Sequence, residues 1–380
     1  MNIIGIIAEY NPLHLGHIYQ IKKAKELYPN STIILITNST FTQRGDISII
    51  NKWDKTKLCL DNNIDLVVEL PFVFATQSAD IFAKGALKIL NELKIDTLIF
   101  GSESNDTNKL KEIALTQLKN PTYSKKVKLY LDNGLNYPTA MSRALKDILG
   151  YSINKPNDIL ALSYIKEIIR NDYKINPVSI KRTNDYHDTH IKTNIVNASL
   201  IRKMIADNKN ITNYIPNYNQ NYLYKNITLE NFYPFLKYKI ITSNNLEIYQ
   251  TVDEGIENRI KKMALKSNSW EEIVKNIKTK RYTYNKINRM LVHILTNFTK
   301  EEAQNINVDY IRILGFNSKG QQHLKTIKKN LHIPTITNYK PNLSQILDIE
   351  LRVTQIYSSI IKKETLATSE FSHLPIIKKD

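Results

Sequence analysis

Apolar positions along the first half of the chain follow two periods in turn. Asn2-Ile-Ile-Gly-Ile-Ile-Ala-Glu9 is a short unbroken apolar run, the pattern of a strand buried on both faces. Ile18 to Leu27 changes to helical spacing, and Thr32-Ile-Ile-Leu-Ile-Thr37 returns to a strand. Trp53 to Asp61 reads as helix, Asp65 to Glu69 as a strand stopped by Pro71, Ala79 to Leu93 as helix, and Asp96 to Phe100 as a strand ending at Gly101. This β-α-β-α-β-α-β order predicts an open, Rossmann-like parallel sheet with right-handed crossovers and helices on both faces, an α/β fold. Ligands of such sheets bind beyond the carboxyl ends of the strands, so the loops after Glu9, Thr37, Glu69 and Phe100 should converge.

Beyond Asn105 the pattern is mostly helical, with a helix from Pro156 to Arg170, a fifth strand over Pro177 to Arg182 and a short helix over Ala198 to Ile205. The Asn-rich stretch Asp207 to Tyr222 lacks periodicity and reads as a linker. The expected division is therefore an α/β domain over 1–215 and a mainly α-helical basic domain over 216–380, with one strand near Tyr310 to Leu314. Length alone also favours two domains.

Charge adds a partner to this picture. Lys and Arg number 53 against 36 Asp and Glu, a net +17 over 380 residues. Eleven basic and three acidic side chains lie between Lys278 and Lys329, so much of the excess is local. Such a stretch, interleaved with Tyr282, Tyr284 and Phe316, suits phosphate contacts and base stacking on RNA. Lys278, Lys280, Arg281, Lys286, Arg289, Arg312 and Lys325 are its candidate contacts. The single cysteine, Cys59, excludes a disulfide within the chain and reads as a small buried apolar residue. The opening residues lack a basic leader and no apolar run reaches membrane-spanning length, which makes the cytoplasm the expected location.

The chemistry concentrates in Tyr10-Asn11-Pro12-Leu13-His14-Leu15-Gly16-His17, which follows a buried strand and opens a helix. Unpaired N–H groups at a helix start suit phosphate. Gly16 permits close backbone approach, and two imidazoles three positions apart can donate to phosphate oxygens. Arg44, after the second strand, suits a carboxylate or a phosphate. Glu9, Glu69 and Glu103 are acids at strand ends, suited to Mg2+, ribose, helix caps or salt bridges. His187, Asp188 and His190 are too closely spaced for the usual zinc pattern, and no protein-held metal is expected.

The His-x-Gly-His run resembles the signature of the nucleotidyltransferase superfamily (HUP domains), which includes class I tRNA synthetases and small-molecule adenylyltransferases. Glu9-Tyr-Asn-Pro-x-His-x-Gly-His17, Gln43-Arg-Gly-Asp46, Lys52-Trp53, Asp65-Leu-Val-Val-Glu-Leu-Pro71, Phe100-Gly-Ser-Glu103, Lys155-Pro-Asn157 and Tyr186-His-Asp188 occur together and in order. That set, with Tyr310-Ile-Arg-Ile-Leu-Gly-Phe316, resembles the bacterial tRNA(Met) cytidine acetate ligase family over essentially the whole chain.

The resemblance implies an ATP-dependent enzyme that activates acetate as acetyl-adenylate, releases pyrophosphate and acetylates the N4 amine of the wobble cytidine of elongator tRNA(Met). It implies His14 and His17 as catalytic residues, with Mg2+ carried by the nucleotide. ATP contacts are implied for Ile7, Ala8, Glu9, Tyr10, Asn11, Pro12, Leu13, His14, Leu15, Gly16, His17, Ile18, Tyr19 and Gln20. Gly101, Asn157, Arg182, Ser199 and Arg202 join them. Asn197-Ala-Ser-Leu-Ile-Arg202 resembles the Ser-x-Ser-x-Ile-Arg phosphate signature of adenylyltransferases, with Asn197 where that pattern usually has Ser. A small-molecule adenylyltransferase of the pantetheine-phosphate or NMN type shares the motif and is the alternative; a non-catalytic RNA-binding protein is the third reading.

Overall fold

In the computed structural model, residues 2–182, 194–217, 219–304 and 306–379 are described. The loop carrying Tyr186, His187, Asp188 and His190 lies outside them. Five strands, β1 (Ile3–Ile7), β2 (Thr32–Asn38), β3 (Leu66–Leu70), β4 (Thr97–Ser102) and β5 (Asn176–Lys181), form the parallel body of one sheet. The C-terminal half adds β6 (Ile311–Phe316), antiparallel to β3, then β7 (Thr335–Ile336) and β8 (Ile376–Ile377), both on β6. The spatial order is β5-β4-β1-β2-β3-β6-β7.

The apolar runs explain the body of the sheet. Ile33, Ile34, Leu35 and Ile36 are all fully buried, as a strand covered on both faces requires. Full burial of each such side chain contributes about 1.5–3 kcal/mol. Helices Leu15–Leu27, Lys52–Asp61 and Ala79–Glu92 are the crossovers between successive parallel strands. Pro71 does stop β3, and a four-residue helical turn, Phe72–Ala75, follows it. Cys59 is buried and its thiol is pushed up to about 12, so it remains protonated.

The 216–380 stretch is helical apart from its short strands, yet it does not stand apart from the sheet. Lys52 bridges to Glu69 at 2.6 Å and to Glu370 at 2.7 Å, and Arg312 pairs with both carboxylates. These four groups are almost fully buried and join helix Lys52–Asp61, β3, β6 and the C-terminal helix Thr365–Ser372.

This overturns one expectation: Arg312 is not an RNA contact. Its side chain has no exposed surface, because the two carboxylates draw it inward. A second expectation also changes. The basic stretch is not one surface. Helix Ser318–Ile327, which carries Lys319 and Lys325, packs at the amino edge of the sheet. There Asn317 donates its N–H to the Asp65 carbonyl at 3.0 Å, and Gly320 leaves no room for a Cβ against that same oxygen.

Candidate active site

Strand β1 pairs with β2 on one side and β4 on the other, so the chain order reverses there. A cavity of about 760 Å³ opens beyond the carboxyl ends of these strands, where an open α/β sheet binds ligands. Its floor is Ile7, Ala8, Phe100 and Gly101, and its apolar wall is Phe82, Ile159, Leu160 and Tyr164.

The turn after β1 sets the two histidines. His14 is the N-cap of helix Leu15–Leu27: its Nδ1 accepts the Gly16 N–H at 3.1 Å, and the His14 N–H donates to Nδ1 of His17 at 3.3 Å. This is a capping box in which both partners are imidazoles. The rings stack at 3.6 Å between centroids. A Cβ at position 16 would lie 2.9 Å from Cε1 of His14, so glycine is required there to make room for the ring. Burial, helped by the positive charge of Arg182 and Arg202, lowers the His14 pKa to about 3. His17 is driven well below the usual range by burial, by His14 and by Arg182. Both rings are therefore neutral near pH 7. With each Nδ1 accepting, the proton of each ring sits on Nε2, which leaves two donors for a ligand in the cavity.

Asn11 holds the turn in place: its Nδ2 donates to the Ile47 carbonyl at 2.7 Å, and its Oδ1 accepts the Ile49 N–H at 2.8 Å. Arg202 donates to the Asn11 carbonyl and to Asp46, both at 2.8 Å. It belongs to helix Ala198–Ala206, whose N-cap is Asn197, accepting the Leu200 N–H at 2.8 Å. Asn197 therefore keeps the capping role open to a serine, and Ser199 lines the cavity from the first turn.

Asn157 is not a cap. It lies in the first turn of helix Pro156–Arg170, whose cap residue, Lys155, makes no side-chain capping bond. Glu103 serves instead, accepting Asn157 Nδ2 at 2.7 Å and the Asp158 N–H at 3.0 Å. Asp158 in return accepts the Ser102 hydroxyl and the Glu103 N–H. This reciprocal clamp fixes the helix to the end of β4. Asp158 went unread in the sequence, although its place in the first turn of a proline-started helix was a signal. Arg182 lies over Gly101, with its Cγ 3.3 Å from where a Cβ would stand.

Of the expected nucleotide contacts, Ile7 to Asn11, His14, His17, Gln20, Gly101, Asn157, Arg182, Ser199 and Arg202 line the cavity. Gly16 and Tyr19 line a small adjoining cavity, and Pro12, Leu13, Leu15 and Ile18 line neither. Leu13 is turned into the core. Glu69 and Glu103 are committed to the contacts above. Glu9 alone of the three strand-end acids reaches the cavity; burial raises its pKa, and its carboxylate accepts the Gln43 N–H.

Sequence reasoning missed the contribution of the C-terminal half. Thr283, Asn285, Asn288 and Arg289, around the start of helix Tyr284–Leu295, line the same cavity as Arg44. Arg289 was expected on an outer RNA surface. It faces inward because the Gln43–Asp46 loop packs on its helix: Arg289 Nη1 donates to the Gln43 carbonyl at 3.2 Å. Tyr282 is likewise buried, with its hydroxyl donating to the Asp253 carbonyl and Glu254 carboxylate. Lys280, Arg281 and Tyr284 are exposed, and Lys278 and Lys286 are half-buried.

The geometry matches known proteins over its full extent. A family model described as HIGH Nucleotidyl Transferase matches residues 1–371. A tRNA(Met) cytidine acetate ligase of Thermoanaerobacter sp. (strain X514) is 37% identical over 401 residues, covering 100% of both chains. One of Bacillus subtilis (strain 168) is 35% identical, over 99% of this chain and 97% of the relative. Among solved structures, apo TmcAL of Thermotoga maritima aligns with a TM-score of 0.93 at 28% identity. TmcAL from the same organism bound with alpha-thio ATP aligns at 0.89 and 27%, and both alignments cover 100% of each chain. The chain belongs to the tRNA(Met) cytidine acetate ligase family of HIGH nucleotidyl transferases.

Proposed function

We propose that this protein uses ATP to activate acetate as acetyl-adenylate and then acetylates the N4 amine of the wobble cytidine of elongator tRNA(Met). The observation that carries the reading is the His14–His17 capping box, two neutral imidazoles held as donors above a cavity at the sheet's switch point. Four arginines and two acids line that cavity, a balance suited to a triphosphate. The acetate oxygen bonds to the α-phosphorus and pyrophosphate leaves; the two histidines stabilise the charge that develops there. The cytidine amine then attacks the acetyl carbonyl and AMP departs.

Ile7 to Asn11, Gly101, Asn157 and Arg182 form the nucleoside side, and Ser199 and Arg202 the phosphate side. Mg2+ would travel on the triphosphate. Lys278, Lys280, Arg281 and Lys286 grip tRNA phosphates outside the cavity, while an unpaired anticodon base enters it. Among the described residues no helix is long and apolar enough to cross a membrane, and the reaction belongs with tRNA in the cytoplasm.

The test is to incubate the protein with ATP, labelled acetate and total tRNA and to digest the RNA to nucleosides. Label in N4-acetylcytidine supports the reading; label in no nucleoside removes it.

A further inference from the structure

We propose that Arg289, reaching from the C-terminal half beside Arg44, holds the carboxylate of the acid that is activated. The proposal rests on the ligase reading and assigns its acceptor side.

The donors of Arg289 are not all used. Its Nη1 is spent on the Gln43 carbonyl, while its Nε is buried with no hydrogen-bond partner. A buried donor left unmade is costly, and more so on a charged group. Burial, and then repulsion from the neighbouring Arg44, lowers the Arg289 pKa to about 10. The two acids lining the cavity do not relieve it. Glu9 receives the Gln43 N–H, and Asp46 pairs with Arg202 at 2.8 Å. An arriving anion would satisfy the open donor and offset the repulsion at once.

The pairing of the two arginines is built in. Gly45 has φ +76°, and a Cβ there would lie 2.6 Å from the backbone nitrogen of Arg289. The loop carrying Arg44 therefore rests directly on the helix carrying Arg289. This corner lies on the β2 side of the cavity. Gly101, Asn157 and Arg182 lie on the β4–β5 side, with the histidines between. An acid held by Arg289 would lie across the cavity from the residues assigned to the nucleoside. A two-oxygen anion matches the guanidinium fork. In the step itself one carboxylate oxygen forms the bond to phosphorus. The bond from the α-phosphorus to the bridging oxygen breaks, pyrophosphate leaves with the electron pair, and no proton or redox equivalent is needed.

The experiment measures acetate-dependent ATP–pyrophosphate exchange on full-length Arg289→Gln, Arg289→Lys and Arg44→Gln, with KM determined separately for acetate and ATP. The expected result is an acetate KM raised at least tenfold in Arg289→Gln and less in Arg289→Lys, with the ATP KM within about threefold. Should Arg289→Gln lose its thermal transition, Arg289→Lys and Arg44→Gln carry the same KM split. An unmoved acetate KM overturns the proposal. So does an equal rise in the ATP KM, which gives the anion to phosphate. Absence of acetate-dependent exchange in the unaltered enzyme removes the ligase reading itself, an outcome distinct from all of these.

Discussion

The backbone N–H of His14 donates to Nδ1 of His17 at 3.3 Å, so the helix cap and the proposed catalytic pair are one structure. Replacing either ring removes a cap partner and an Nε2 donor together. His17→Ala is expected to lower the exchange rate by about 10²–10³-fold, the size of a lost oxyanion donor. Its tRNA affinity should stay within a few fold. Steady-state exchange and a filter-binding titration check the two halves of this expectation.

The same burial makes stability depend on pH. The His14 pKa falls from 6.5 to about 3 on folding, so below pH 6.5 the unfolded chain binds the proton more readily. The contribution of a neutral His14 is present above pH 6.5 and is lost as pH falls toward 3, at up to about 1.4 kcal/mol per pH unit. Thermal midpoints between pH 7.5 and 5 should fall for the unaltered protein and fall less steeply for His14→Asn.

Arg312 and Glu370 tie the C-terminal helix to the sheet without touching the cavity. Removing one member of this buried network of two cations and two carboxylates leaves one charge uncompensated and costs about 3–5 kcal/mol. Glu370→Ala and Arg312→Ala should each lower the thermal midpoint markedly. At a temperature where the Arg312→Ala protein remains folded, its tRNA affinity should match the unaltered protein's.

Arg281 and Lys325 separate the two parts of the basic stretch. Arg281 is exposed and paired with Glu254 at 2.8 Å, just before the helix whose start lines the cavity, whereas Lys325 sits on the helix at the opposite edge of the sheet. Charge reversal at Arg281 and Lys286 should weaken tRNA binding and flatten its salt dependence. Reversal at Lys325 should leave the slope unchanged. Binding measured across a salt series tests both.

The parallel body of the sheet was legible because its strands are continuous apolar runs punctuated by Pro71 and Gly101. The strand–turn–helix at Glu9 to His17 was legible because glycine and paired imidazoles have a strong physical reason to meet there. The inward arginines were not legible. Arg312 stands between two isoleucines on β6, and its partners Glu69 and Glu370 lie far away in sequence. A local charge count sees a cation and not the carboxylates that bury it. Arg289 shared that fate: its helix spacing shows Ile287, Met290 and Leu291 turned to the core, but the loop that draws Arg289 inward comes from residues 43–46. Sequence separation, more than residue type, hid the acceptor side of the site.

The most direct test of the account is exchange of labelled pyrophosphate into ATP without tRNA. The account predicts exchange when acetate is present, none when it is withheld, and none with pantetheine phosphate or nicotinamide mononucleotide in its place. Exchange supported by either phosphate acceptor, or equal exchange by His17→Ala, would contradict it.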